Sequence, residues 1–220
     1  APYQNLITKH RYDLVRRMAS LVHHSLDGPV ATVTLDDGKV NVLSPAMQAA
    51  VHDALDRAEA DGSVVVLAGR DGIFSAGFDL GILRAGGESS RAMVLGGFEL
   101  AARLLAFPTP VVIACTGHAV AMGAFLLLSG DYRLGAAGPF TLRANEVAIG
   151  LTMPHAAVEV LRQRLTPAAF VRAATLAEPF APDAAVAAGF VDRVVDPGDV
   201  LLMAQDAAAA LATLDLAAHA

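Results

Sequence analysis

Short apolar runs and amphipathic stretches take turns along the first part of the chain. Val30 to Leu35 (VATVTL) is a β-branched run closed by the turn residues Asp36-Asp37-Gly38, which predicts a strand. Ser44-Pro45 opens a helix, with serine as N-cap and proline in the first turn. Met47, Val51, Ala54, Leu55 and Ala58 recur at helical spacing until Gly62 stops it. Val64 to Ala68 (VVVLA) has the unbroken apolarity of a strand buried on both faces. Gly69 to Gly77 reads as a loop, and Gly81 to Ala92 as a mobile, glycine-rich one. A helix is expected over about 90–106, ending before Pro108, and Pro110 leads into a buried strand from Val111 to Ala114. Gly117 to Gly123 reads as a turn into an apolar helix ending at Leu128. Tyr132 to Leu134 and Phe140 to Leu142 are strand-like.

From Pro154 onward the pattern becomes helical and alanine-rich, over 154–164, 167–176, 181–188 and 198–212, broken by a strand from Val191 to Val195. The earlier alternation of strand and helix predicts right-handed crossovers and a mostly parallel sheet. The fold class expected is therefore α/β, with one core over 18–195 and a short C-terminal helical tail over 196–220.

Composition narrows the function classes. Of 220 residues, 55% are hydrophobic and 17% charged, enough apolar material for a core and unlike a disordered chain. The net charge of −6 argues against a general nucleic-acid binder, which needs a basic face. Cys115 is the one cysteine, so no internal disulfide can form, which fits a reducing, cytoplasmic setting. The longest apolar run, Ala119 to Leu128, is too short for a membrane helix and reads as a buried one. Residues 1–17 are polar, carry Lys9, Arg11, Arg16 and Arg17, and lack the apolar segment of a signal peptide. They are expected to form an extension outside the core or a short surface helix.

Two loops after strands carry candidate chemistry, because α/β sheets place ligands there. The first is Phe74-Ser75-Ala76-Gly77-Phe78-Asp79-Leu80, where glycine permits a tight or left-handed backbone. The second is Gly117-His118-Ala119-Val120-Ala121-Met122-Gly123, which opens a helix whose first N–H groups have no partner within it. Taken singly, each is most simply an ordinary turn. Side by side, they would aim two amides at one point, and such a pair stabilises an oxyanion strongly. His118 has no Asp or Ser partner visible in the sequence. No nucleophile elbow, phosphate loop or cluster with metal-ligand spacing is present.

The motif FSAGFDL, followed some forty residues later by a Gly-x-Ala-x-x-x-Gly helix start with Asp131 beyond it, resembles the enoyl-CoA hydratase/isomerase (crotonase) superfamily. Asn41-Val42-Leu43-Ser44, Glu146-Val147-Ala148-Ile149-Gly150-Leu151 and the late segment AAVAAGFVDRVV are similar as well, so the resemblance spans roughly residues 28–200. It implies a spiral of ββα units with a C-terminal helical region. It also implies a homotrimer or dimer of trimers, an acyl-CoA substrate and no cofactor beyond the coenzyme A of that substrate.

Carried over by position, the resemblance gives the oxyanion-hole amides to Phe78 and Met122. Met122 stands where the family has glycine, and its side chain is expected to narrow the pocket. Ala76, Gly77, Asp79 and Leu80 would border the CoA site, with Lys39 near the phosphates and His118, Gly123 and Phe125 in the pocket. Family hydratases use two glutamates. One of those positions is Phe125, which cannot move a proton; the other is Glu146. Leu142-Arg143-Ala144-Asn145-Glu146 is particularly like the Δ3,Δ2-enoyl-CoA isomerases, so Glu146 is expected to move the proton. The alternatives are an enoyl-CoA hydratase, another crotonase-type lyase or hydrolase, and a CoA-binding relative without turnover.

Overall fold

A computed structural model describes residues 21–219. The extension expected over 1–17 lies outside the described residues. The large sheet contains β1 (Val22–Asp27), β2 (Val30–Leu35), β3 (Val64–Ala68), β5 (Val111–Cys115), β7 (Tyr132–Ala136) and β9 (Arg193–Val195), in the order β1-β2-β3-β5-β7-β9. β1 pairs antiparallel to β2, and every later neighbour is parallel. A second, smaller sheet holds β4 (Gly72–Ser75), β6 (Gly117–Val120) and β8 (Leu142–Arg143), all parallel in the order β4-β6-β8.

This topology is the spiral implied by the resemblance. β3, β5 and β7 each feed a short strand of the second sheet. From there the chain enters α2 (Leu80–Ala85) and α3 (Gly87–Leu105), or α4 (Met122–Leu128). β4 and β6 lie where loops were expected. Each is four residues long and opens with glycine, too short to print a period of its own. α2 occupies part of the expected mobile loop, and α3 begins at Gly87. β1 was not expected from the sequence.

α1 (Pro45–Ala60) starts as its residues dictate: Ser44 accepts the Met47 N–H at 3.2 Å, and Gly62 follows the end with φ 63°. Its buried stripe of Met47, Val51, Leu55 and Ala58 packs with Leu100 and Leu104 of α3 onto Val33, Leu35, Val65, Leu67 and Ile113 of the large sheet. Every residue of α4 is buried, as its unbroken apolarity requires. Burying one such side chain contributes about 1.5–3 kcal/mol.

The opposite face of the sheet presents Val64, Val66, Val112, Ala114 and Leu134. α8 (Val200–Leu211) covers it through Val200, Ala204 and Ala208, spaced four apart along one stripe. The C-terminal segment thus encloses a second hydrophobic cluster on the face of the large sheet opposite α1 and α3. α5 (His155–Arg164), α6 (Pro167–Leu176), α7 (Pro182–Ala188) and α9 (Leu216–His219) complete the order of helices.

Candidate active site

The first turn is held from below by a buried polar net. Asn41 is fully buried with φ 53°, and its Nδ2 donates to Leu35 O at 3.0 Å and to Phe74 O at 3.1 Å. Its carbonyl accepts from Ser75 Oγ at 2.7 Å, and Ser75 Oγ in turn accepts the Gly77 N–H at 3.1 Å. Leu43 N–H donates to Gly77 O at 2.8 Å. Asp37 ties down the approach by accepting the N–H groups of Lys39, Asn41 and Val42. Burial alone would raise its pKa. Those three N–H groups and Arg70 outweigh that and hold it below the usual value. The Asn41 to Ser44 segment is therefore the clamp on the FSAG turn.

Gly77 has φ 86°, and a Cβ built on it would stand 2.8 Å from Ala121 Cβ and 3.1 Å from Met122 N. The two turns are consequently packed against each other at Gly77. In the second turn, Ala121 takes φ 51° and ψ −126°, donates to Arg143 O at 2.9 Å, and accepts from Ala124 at 2.8 Å. Met122 follows as the first residue of α4. Among the described residues, neither the Phe78 nor the Met122 N–H donates to a backbone carbonyl. These are the two amides the resemblance assigns to an oxyanion.

Beside them opens a cavity of about 520 Å³, whose wall includes Ala76, Phe78, Leu80, Leu83, Arg84, Phe98, Ala121, Asn145, Glu146 and Ile149. Met122 does not line it. Its side chain is fully buried, running past Gly97 on α3, where a Cβ would come within 2.5 Å of the Phe78 ring and 3.4 Å of Met122 Cγ. The expected narrowing is therefore corrected: Gly97 leaves room for the methionine in the core.

Glu146 sits between β8 and the single 3₁₀ turn Val147–Ile149. It is 7% exposed, and its Oε2 is buried with no protein hydrogen-bond partner. Burial raises its pKa above the usual carboxylate range, while a hydrogen bond from its own backbone partly opposes the rise. Asn145 Oδ1, also buried and unpartnered, lies in the same wall. A carboxylate that burial has made more basic, with an oxygen that no protein group engages, is a stronger proton acceptor than an ordinary one.

Several expected site residues have other positions. Phe125 is buried behind the cavity wall, 5.7 Å from the Phe98 ring, which in turn meets Phe78 edge-on at 6.5 Å. His118 lies on β6 outside the cavity. Its Nδ1 accepts the Thr141 N–H at 3.0 Å, and its ring stands edge-on to Phe140. Gly123 lets α4 press on Ser75, since a Cβ there would be 2.4 Å from Ser75 O. Asp79 caps α2 by accepting the Gly81 and Ile82 N–H groups. Lys39 is exposed in the clamp segment rather than in the cavity wall. Arg84 belongs to the segment 81–92, expected to line the pocket, and does line it; Phe98 was not foreseen. Asn145, beside Glu146 in the segment quoted for its likeness to isomerases, was not assigned to the site and stands in the cavity wall.

The chain is similar to known proteins in sequence and in fold. The family model for enoyl-CoA hydratase/isomerase matches residues 26–219. The chain is similar to the solved structure of an enoyl-CoA hydratase from Mycobacterium marinum, with 50% identity, a TM-score of 0.87, and coverage of 90% of this chain and 88% of that one. It is similar to an enoyl-CoA isomerase from Mycobacterium tuberculosis, with 47% identity, a TM-score of 0.88, and coverage of 91% and 88%. The peroxisomal enoyl-CoA delta isomerase 2 of Arabidopsis thaliana is 30% identical over 175 residues, 75% of this chain and 73% of that protein.

Proposed function

Because the chain belongs to the enoyl-CoA hydratase/isomerase family, we propose that it moves the double bond of a 3-enoyl-CoA to the 2-position, with Glu146 as its one acid–base group. The ionised Glu146 takes a proton from C2. The electron pair runs onto the thioester oxygen, where the Phe78 and Met122 N–H groups hold the charge. Glu146 then returns its proton to C4, leaving the double bond between C2 and C3. No water and no second carboxylate take part.

The observation that carries this reading is the unpartnered, buried Glu146 carboxyl in a cavity walled by Phe98, with Phe125 behind it. Ala76 and Leu80 border the thioester end, and Arg84 on α2 offers a positive charge at the wall for the phosphates of coenzyme A. The proposal extends to a homotrimer or dimer of trimers and to a cytoplasmic location. Exposed Val147, Ile149, Leu151, Val171 and Leu176 supply apolar surface for a second copy.

Hydration of a 2-enoyl-CoA is the second reading. Asn145 Oδ1 favours it, because with Glu146 Oε2 it offers two buried acceptors to one water. Turnover of 3-enoyl-CoA and 2-enoyl-CoA, wild type beside Glu146→Gln, tests both. Isomerisation lost in the variant, without hydration in either protein, supports the proposal. Hydration by the wild type at a rate matching isomerisation overturns it.

A further inference from the structure

β8 is two residues long, yet it reaches both halves of the site. The Arg143 carbonyl accepts the Ala121 N–H at 2.9 Å, which sets the turn that frees the Met122 amide. Three residues further on stands Glu146. Its carboxylate accepts a hydrogen bond from its own backbone, and Oε2 has no partner, so the peptide joining Asn145 to Glu146 orients the carboxyl. The whole segment is gripped by α6 and the residues just after it. Arg143 Nε donates to the carbonyl of Ala177, the residue that ends α6, at 2.5 Å. A cationic side chain suits the carbonyls at the negative end of a helix. Ala177 is buried and takes φ 49°, a conformation that an L-residue keeps only where its surroundings impose it. Leu142 and Phe180 exchange backbone hydrogen bonds at 2.9 and 3.0 Å, and α6 packs on the 3₁₀ turn Val147–Ile149. Arg143 itself does not line the cavity.

We infer that Arg143 is a positioning residue of the reaction: by gripping Ala177 O it fixes β8, and β8 holds Glu146 and the Met122 amide at one separation. The inference rests on the acyl-CoA reading above and adds a residue to it. The amide acts on the thioester oxygen while Glu146 acts on C2 of the same substrate, so their spacing decides whether both are met at once. A displacement of about 1 Å can cost about 10²-fold in rate. Arg143 supplies a hydrogen bond here and not a charge. What acts on the Glu146 carboxyl is burial and its own backbone, and the Arg143 cation has no part in it.

Three variants test this. Arg143→Gln puts a neutral donor nitrogen as many bonds from the backbone as Nε. Arg143→Met puts an apolar group there, and Arg143→Lys keeps the charge but has a methylene at that position. Arg84, the charged side chain that shares the cavity wall with Glu146, is unchanged in all three. Two quantities are measured on the full chain: kcat and KM for trans-3-hexenoyl-CoA, and the titration of the Glu146 carboxyl by carbon NMR, identified by its loss in Glu146→Gln. Arg143→Met and Arg143→Lys should lower kcat at least about tenfold with KM within about twofold. Both should also move the Glu146 titration to higher pH, because the backbone hydrogen bond that opposes the rise in its pKa is weakened. Arg143→Gln should keep kcat within about threefold of wild type and leave the titration in place. Should Arg143→Met not fold, Arg143→Lys carries the same test. A titration unmoved or lowered in Arg143→Met and Arg143→Lys overturns the inference and leaves the isomerase reading standing. So does an Arg143→Gln as impaired as the other two. A wild type that converts no 3-enoyl-CoA, with the titration moving as expected, overturns the isomerase reading and leaves Arg143 as the residue that positions Glu146.

Discussion

The turn at Ser75 to Asp79 and the turn at Val120 to Met122 present one free amide each, and they reach that state by different means. The first uses Gly77, whose φ of 86° costs a glycine little; its N–H donates to Ser75 Oγ and its carbonyl accepts from the Leu43 N–H. The second uses Ala121 at φ 51° and ψ −126°, a conformation that costs an L-residue about 1–3 kcal/mol. Neighbours impose it: Arg143 O fixes the alanine N–H, and the Ala124 and Phe125 N–H groups converge on its carbonyl. At 77 a side chain is forbidden by space as well as by dihedral. At 121 the methyl group is tolerated because it forms the cavity wall. Presenting an unpaired amide thus needs the backbone direction, and either an unstrained glycine or a strained, well-braced residue supplies it.

The largest expected effect lies outside both turns and isolates them. Glu146→Gln should lower kcat by about 10²- to 10⁴-fold while acyl-CoA binding persists, since the two amides remain. The pH profile sharpens this. Because burial raises the Glu146 pKa, its base form is lost at a higher pH than that of an ordinary carboxylate. Activity should fall along an acid limb displaced upward, and any activity left in the variant should lack that limb. For stability the sign reverses. A carboxyl whose pKa is raised by folding costs stability as pH rises through the folded value, so Glu146→Gln should be the more stable protein at neutral pH, measured by thermal melts.

Gly77→Ala comes next. The added Cβ meets Ala121 Cβ and Met122 N, so it displaces both amides at once. A fall of about 10²-fold in kcat is expected, together with a lower melting temperature. A variant that keeps full activity would break the pairing of the two turns. Met122→Ala should cost about 2–4 kcal/mol of stability from the emptied core, as seen in denaturant unfolding. Its kcat should stay within about tenfold, because the side chain lies in the core and not in the cavity wall. Ala121→Gly should have the smallest effect, a gain of up to about 1 kcal/mol with kcat little changed. A loss of stability there would show that Ala121 is not strained in the way argued.

Different parts of the molecule were legible in the sequence to different degrees. α1 could be read to within a residue because Ser44, Pro45 and Gly62 mark its ends chemically. β3 and β5 could be read because strands covered on both faces are continuously apolar. β4 and β6 were hidden. Their pairing lies with each other across the spiral, and four residues with glycine at the start carry no local signal. α2 was hidden for a related reason: its N-cap, Asp79, is followed by a glycine in the first turn, and the helix is only six residues long. In the cavity wall, Ala76, Phe78, Leu80 and Glu146 were legible through motif position. Leu83 and Arg84 fell within the segment 81–92 expected to line the pocket, whereas Phe98 was hidden, because lining a cavity depends on which face of α3 turns inward.

By itself the sequence determined the α/β alternation, the positions of the two glycine-bearing turns and the place of Glu146 in its segment. These follow from local dihedral preference, from hydrophobic period and from which side chains can hold a proton at all. Tertiary structure decided that the two turns touch at Gly77, that Met122 points into the core beside Gly97 and that Glu146 loses its water. It also decided that α3 turns Phe98 toward the cavity. Each of these depends on distances between segments far apart in the chain, which only the packing of the two sheets against α3 and α4 can fix.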